Sequence, residues 1–219
     1  VTPSTRSPLD TAFLPGMGNS NTDFAISDIT EVGGAFDGNQ VELGMKVKRR
    51  FFGQTGVGGS SNIYEVQTGF SPVDGSAGSP DDTSRAWWNF DFSVDFGSRT
   101  TTNTTVILTI TDPENDSIIV PQPGGAPGVP VNNTLYQNSW NTGFGFINAG
   151  YAIPVPPSFV PGIGFDVNLL GDYILTLTAI DNDTQAEIGN VTAIARVVPT
   201  PASAALLGLS GLAALRRRR

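Results

Sequence analysis

Apolar and polar residues alternate along several stretches of this chain with a period of two, the signature of strands that bury one face. The plainest stretch is 87–96. Trp88, Phe90, Phe92, Val94 and Phe96 project to one side, and Trp87, Asn89, Asp91, Ser93 and Asp95 to the other. Val41, Leu43, Met45 and Val47 alternate with Glu42, Gly44, Lys46 and Lys48. Val106, Leu108 and Ile110 alternate with Thr105, Thr109 and Thr111, with Ile107 as the exception. Tyr173, Leu175, Leu177 and Ala179 make a similar row, and Val191, Ala193, Ala195 and Val197 make the last. Threonine and β-branched residues fill these runs, as strands prefer. No segment before Ala202 carries an apolar repeat of helical period.

Stretches rich in Gly, Pro, Ser and Asn separate the runs at 53–61, 71–84, 121–133 and 153–164. They predict loops, some of them long. The pattern predicts an all-β fold: an antiparallel β-sandwich of eight to ten strands, jelly-roll or Ig-like, with long Gly/Pro-rich loops and a short apolar helix after it. Two sheets pressed together would bury the aromatic row of 88–96 against rows such as 173–179. The firmest local expectation is a hairpin of 172–181 and 186–198 around Asn182-Asp183-Thr184-Gln185, where Asn and Asp tolerate the positive φ that turns demand. The chain divides into a polar N-terminal segment at 1–21, the sandwich at 22–198 and a tail at 199–219.

Composition mainly excludes. The 219 residues are 39% hydrophobic, enough for a packed core, and contain neither Cys nor His. That removes Cys nucleophiles, Ser-His-Asp triads, His-based zinc sites and disulfides. Formal net charge is −8, and residues 1–215, without the four final arginines, carry −12. Such a body repels phosphate backbones, so no nucleic-acid partner is expected. No base, nucleophile and oxyanion constellation is present, and the chain is not expected to be an enzyme.

A few residues are candidates for binding. Asp181 and Asp183, on the hairpin turn, offer oxygen ligands for Ca²⁺. The plainer reading is an Asx-rich turn. Asp112-Pro113-Glu114-Asn115-Asp116 is a second acidic turn of the same kind, and Asp81 and Asp82 read as solvated. Trp87, sharing a face with Asn89 and Asp91, is a candidate sugar platform, as is Trp140; the alternative is ordinary cover for the core. Asp91 and Asp95 do not make a glycosidase pair. Same-face residues four apart on a strand lie about 13 Å apart, beyond the ~9.5 Å limit for the two carboxyls. Lys46, Lys48, Arg49 and Arg50 form a basic cluster, expected at a strand end and read as protection of an edge strand against aggregation. Asn-x-Thr triplets at Asn103 and Asn190 are expected by chance in a Thr-rich strand protein.

The last stretch has its own order. Val198-Pro199-Thr200-Pro201 is followed by an apolar run at 202–215 and then by Arg216, Arg217, Arg218 and Arg219. The two prolines make a stiff spacer that neither helix nor central strand accommodates. As a helix the apolar run would rise roughly 21 Å at about 1.5 Å per residue. That is short of the ~20 residues of a full bilayer crossing, and flanking arginines that snorkel extend it. Positive flanks stay cytoplasmic, which would place the body outside.

This tail resembles the PEP-CTERM sorting signal of bacterial exosortase substrates, which has a Pro-x-Pro box, a membrane segment and an arginine cluster. The resemblance covers 198–219, and Thr200 stands where the common box has Glu. It implies export, recognition by a membrane-embedded exosortase-type processing enzyme, and cleavage near Pro199 to Ala202. It also implies association with biofilm and exopolysaccharide. Val1 to Asn21 contains no apolar stretch of the kind export requires, so on this reading a trimmed leader or an incomplete start is expected. The sequence thus points to an exported cell-surface or matrix protein, structural or adhesive, with membrane contact through the tail. The alternative is a carbohydrate-binding module for an extracellular polysaccharide.

Overall fold

Each period-two row becomes a strand, because burying one face of an alternating segment leaves its backbone groups to pair only with neighbouring strands. The computed structural model describes residues 6–7, 24–26, 41–49, 62–68, 86, 88–97, 99–115, 117–121, 135–140 and 169–199. The predicted loops at 53–61, 71–84 and 153–164, nearly all of the loop at 121–133, and the apolar run at 202–215 lie outside these residues. The described residues form ten strands and no helix: β1 (Arg6–Ser7), β2 (Phe24–Ile26), β3 (Glu42–Arg49), β4 (Ile63–Gln67), β5 (Trp88–Asp95), β6 (Thr104–Thr111), β7 (Ser117–Pro121), β8 (Leu135–Trp140), β9 (Gly171–Asp181) and β10 (Glu187–Val198).

They build two five-stranded sheets, ordered β1-β2-β3-β5-β8 and β4-β10-β9-β6-β7. The inward rows are the predicted ones. Leu43, Met45 and Val47 on β3 pair with Val94, Phe92 and Phe90 on β5. Leu108 and Ile110 on β6 pair with Leu177 and Leu175 on β9. Both sets belong to one buried cluster. The sheets meet where the Trp88 ring packs on the Tyr173 ring, 5.3 Å between centroids and tilted by 60°. Phe92 meets Trp140 edge-on at 4.7 Å. Pairs of this geometry add about 0.5–1.5 kcal/mol beyond their buried area.

A second link between the sheets is polar. Tyr64 enters the core from β4, and its hydroxyl accepts a hydrogen bond from the Ala25 amide at 3.1 Å and donates to the Met45 carbonyl at 3.3 Å. Ala25 and Met45 face each other across β2 and β3. One side chain of the second sheet therefore fastens a strand pair of the first.

Three features depart from expectation. The ladder between β10 and β4 is parallel, with Ile194 to Val198 matched to Ile63 to Gln67; the other strand pairs described are antiparallel. It arises because the chain leaves the first sheet after β3, lays β4 on the edge of the second and returns as β5. Arg6–Ser7, within the polar segment expected before the sandwich, pairs with Phe24 and Ala25. In the β9–β10 hairpin the positive φ falls on Gln185, at 59°, and not on Asn182 or Asp183. Gln185 closes the turn by donating its amide to the Asp181 carbonyl at 2.8 Å. Gly171, at the start of β9, has φ of 133° and would bring an added Cβ to 3.0 Å from Pro113, so only glycine fits there.

Trp88→Ala should cost about 3–5 kcal/mol, as for other large core aromatics. Ile119→Thr, on the edge strand β7 and 44% exposed, should stay within about 0.5 kcal/mol of the parent. Denaturant unfolding followed by circular dichroism measures both. Equal effects would contradict the assignment of Trp88 to the interface between the sheets.

Candidate functional site

The face of the first sheet that points away from the hydrophobic core is where the structure concentrates its unusual chemistry. Alternation that turns Phe90 and Phe92 inward turns Asn89, Asp91 and Ser93 outward. The register then sets Lys46 of β3 and Ser139 of β8 directly across from Asp91 on its two sides. This outward face is not a wet one. Asp91 is fully buried and Lys46 is 2% exposed, and Ser93 and Gln137 are buried beside them.

Two ammonium groups converge on the one carboxylate. Lys48 Nζ lies 3.0 Å from Asp91 Oδ1, and Lys46 Nζ 3.7 Å from Oδ2. Neither carboxylate oxygen accepts a hydrogen bond of good directional geometry, so the lysines hold it chiefly as charges. Lys46 also lies over the Phe24 ring, 4.4 Å from its centroid, an arrangement that favours a desolvated cation. Ser139, directly across from Asp91, takes a hydrogen bond from Asn89 Nδ2 at 3.4 Å. Gln137 donates to Ser93 Oγ at 2.8 Å. Burial pushes the Asp91 carboxyl above the ordinary carboxylate range, with Lys48 and Lys46 pulling the other way.

This geometry corrects two expectations. Asp91 does not share an exposed, sugar-facing surface with Asn89; it is sealed against two lysines. Lys46 and Lys48 lie toward the end of β3 but do not protect an edge strand, because β3 is an interior strand between β2 and β5. The other aromatic candidate, Trp140, is 1% exposed and packs edge-on against Phe92 and Phe90, so it serves the core. Trp87 and Arg50 lie outside the described residues. One signal for the charge row was in the sequence: Lys46 and Lys48 alternate on the polar face of one strand as Asn89, Asp91 and Asp95 do on another, with opposite sign.

The second cluster is the β9–β10 turn. Asp181 Oδ1 accepts from the Asp183 amide at 3.0 Å, the Thr184 amide at 2.9 Å and the Thr184 hydroxyl at 3.0 Å. Asp181 Oδ2 takes Arg99 Nη1 at 2.7 Å. Arg99 foremost, and Thr184 after it, hold this carboxyl well below the usual range. Asn182 extends the fastening: its side-chain oxygen accepts from Thr105 Oγ1 at 2.7 Å, and its amide nitrogen donates to the Thr102 carbonyl at 2.9 Å. The turn is thereby tied to the segment leading into β6. Asp181 serves as an Asx cap and ion-pair partner. Among the described residues no group of three or more acidic, Cys or His side chains comes together as metal ligands. At the other acidic turn, Asp112 Oδ1 accepts from the Glu114 amide at 2.9 Å and Asn115 takes a φ of 72°.

Of the sorting box, Val198 is the last residue of β10, and its carbonyl accepts from the Thr68 amide at 2.9 Å. Pro199 is exposed beyond it. Thr200, Pro201, Ala202, Arg216, Arg217, Arg218 and Arg219 lie outside the described residues. No family model matches the chain, and no curated protein matches it.

Asp91→Ala should destabilise by about 3–5 kcal/mol, because it leaves buried ammonium charge without its counter-ion; denaturant unfolding checks this. Asp181→Asn has a distinct pH signature. The folded-state pKa of Asp181 lies below its unfolded value, so its contribution is present above the unfolded pKa of about 3.9 and is lost as pH falls toward the folded value. The variant should melt lower than the parent at pH 7, and the gap should close as pH is taken below about 4.

Proposed function

We propose that this is an exported bacterial cell-surface or extracellular-matrix protein, associated with biofilm or exopolysaccharide, structural or adhesive in role and without enzymatic activity. The observation that carries the reading is the order at 198–219: Pro-x-Pro box, apolar run, arginine cluster. The place of that order in the fold supports it. β10 ends at Val198, so the box begins at the first residue past the last ladder, with Pro199 exposed. A membrane-embedded exosortase-type enzyme needs a box that stands clear of the body.

In this reading the body is a jelly-roll or Ig-like sandwich, and 202–215 forms the short apolar helix that meets the membrane. Val198, Pro199, Thr200, Pro201 and Ala202 make the processing signal, and Arg216 to Arg219 hold the cytoplasmic side. Binding of an extracellular polysaccharide, the alternative, rests on Trp87 and Asn89 alone once Asp91 is committed to its lysines.

Expression of a body-tagged protein in an exosortase-bearing bacterium tests the proposal. Fractionation should place the body in the envelope or the medium, and mass spectrometry should find its new C-terminus between Pro199 and Ala202. A Pro199→Ala, Pro201→Ala double variant should instead accumulate at the inner membrane with residues 202–219 attached. Stable cytosolic protein with an intact tail would sink the reading.

A further inference from the structure

We propose that Lys48 and Asp91 condense to an intramolecular isopeptide bond, a covalent link between β3 and β5 on the outward face of the first sheet. The two reacting groups are already side by side. Lys48 Nζ stands 3.0 Å from Asp91 Oδ1, and Lys46 Nζ 3.7 Å from Oδ2. The carboxylate is fully buried, and Lys48 is only 14% exposed.

Register selects Lys48 over Lys46 as the nucleophile. Lys46 is directly opposite Asp91, whereas Lys48 is opposite Asn89 and so diagonal to Asp91. Directly opposed residues lie about 4.5–5.5 Å apart, and diagonal ones about 7–8 Å. The diagonal distance suits an extended lysine joined to a short aspartate; the direct one would force the lysine chain to fold back on itself.

The chemistry balances without a co-reactant. Proton transfer from the Lys48 ammonium to the Asp91 carboxylate gives an amine and a carboxylic acid. Burial disfavours the charged form of Asp91 and so favours a proton on its carboxyl. The Nζ lone pair then forms a bond to Asp91 Cγ, and the carbonyl π electrons move onto oxygen beside the Lys46 ammonium, which stabilises the charge that develops there. The Ser139 hydroxyl, on the residue directly across the ladder from Asp91, is placed to relay a proton from Nζ to the departing hydroxyl. The Cγ–O bond breaks and one water leaves. Nothing is oxidised or reduced.

The setting also favours the product. In water, hydration of the two ions opposes amide formation. In a buried site that hydration is already lost and the ions bear its cost. Condensation removes one positive and one negative charge together. Lys46 stays behind as a cation over the Phe24 ring, with the new amide carbonyl as acceptor. In a chain with no cysteine, this is a covalent strand-to-strand link that needs no oxidant.

Tryptic digestion and tandem mass spectrometry of the folded full chain test the proposal. The expected result is that the predominant species is a branched peptide, in which trypsin has not cut after residue 48 and Lys48 is joined to Asp91 with the loss of one water. Lys48→Arg keeps the positive charge and removes the primary amine; it should restore the missing water while leaving the circular dichroism spectrum unchanged. Asp91→Ala should also restore it. Separate wild-type peptides at full mass would overturn the proposal and leave the pair a buried salt bridge. A link that persists in Lys48→Arg would overturn the assignment of the nucleophile.

Discussion

The contact of Trp88 with Tyr173 between the sheets is the constraint from which most of this architecture follows. It sets which side of β5 is the core side, and period-two geometry then leaves no choice for the residues between. Phe90, Phe92 and Val94 must join Trp88 inside, and Asn89, Asp91 and Ser93 must turn away. The same rule passes through the ladder to β3 and β8, lining up Lys46, Asp91 and Ser139 in one row. Charged groups in that row are also withdrawn from water, and Asp91 is set against Lys46 and Lys48. The apolar core and the charge row are two faces of one strand, and a register slip of one residue would exchange them.

The parts of this fold legible in the sequence are those decided by local alternation. The rows at 88–96, 173–179 and 191–197 predict inward faces because strand geometry permits no other assignment of such a pattern. The β9–β10 hairpin is legible because its two rows are separated by a short polar turn. What alternation does not encode is the identity of the neighbouring strand. Nothing local to 63–67 announces that it crosses to the other sheet and runs parallel to β10, and nothing local to Tyr64 announces a hydroxyl bonded to two strands of the opposite sheet. The burial of Asp91 is illegible for the same reason. A polar residue opposite a core row is read as wet, but burial of the second face depends on the rest of the molecule. Within the turn, Asn and Asp are the residues most tolerant of positive φ, yet Gln185 takes it because its amide must reach the Asp181 carbonyl.

An acidic composition invites a search for bound cations, and the described carboxylates show why a count of acids is a poor guide. Asp181 is spent on Arg99 and Thr184, Asp112 on its own turn, and Asp95 on the Gly97 amide. Asp172 grips Arg196 through two parallel bonds of 2.8 and 2.9 Å, which hold its carboxyl below the usual range. Each is occupied by local architecture: turns recruit aspartate to cap their amides, and cross-strand positions recruit it to meet arginine.

The parallel ladder has a mechanical meaning. β10 lies between β9 and β4, and the chain leaves it at Val198, where the Thr68 amide still grips the carbonyl. Tension transmitted through Pro199 would run along the axis of β10, nearly perpendicular to its hydrogen bonds on both flanks. Bonds loaded in shear must yield together, whereas bonds at an unzipping end yield singly. The strand nearest the tail is thus the one best placed to resist a pull, and the short segment 63–67 supplies the smaller of the two ladders that do so.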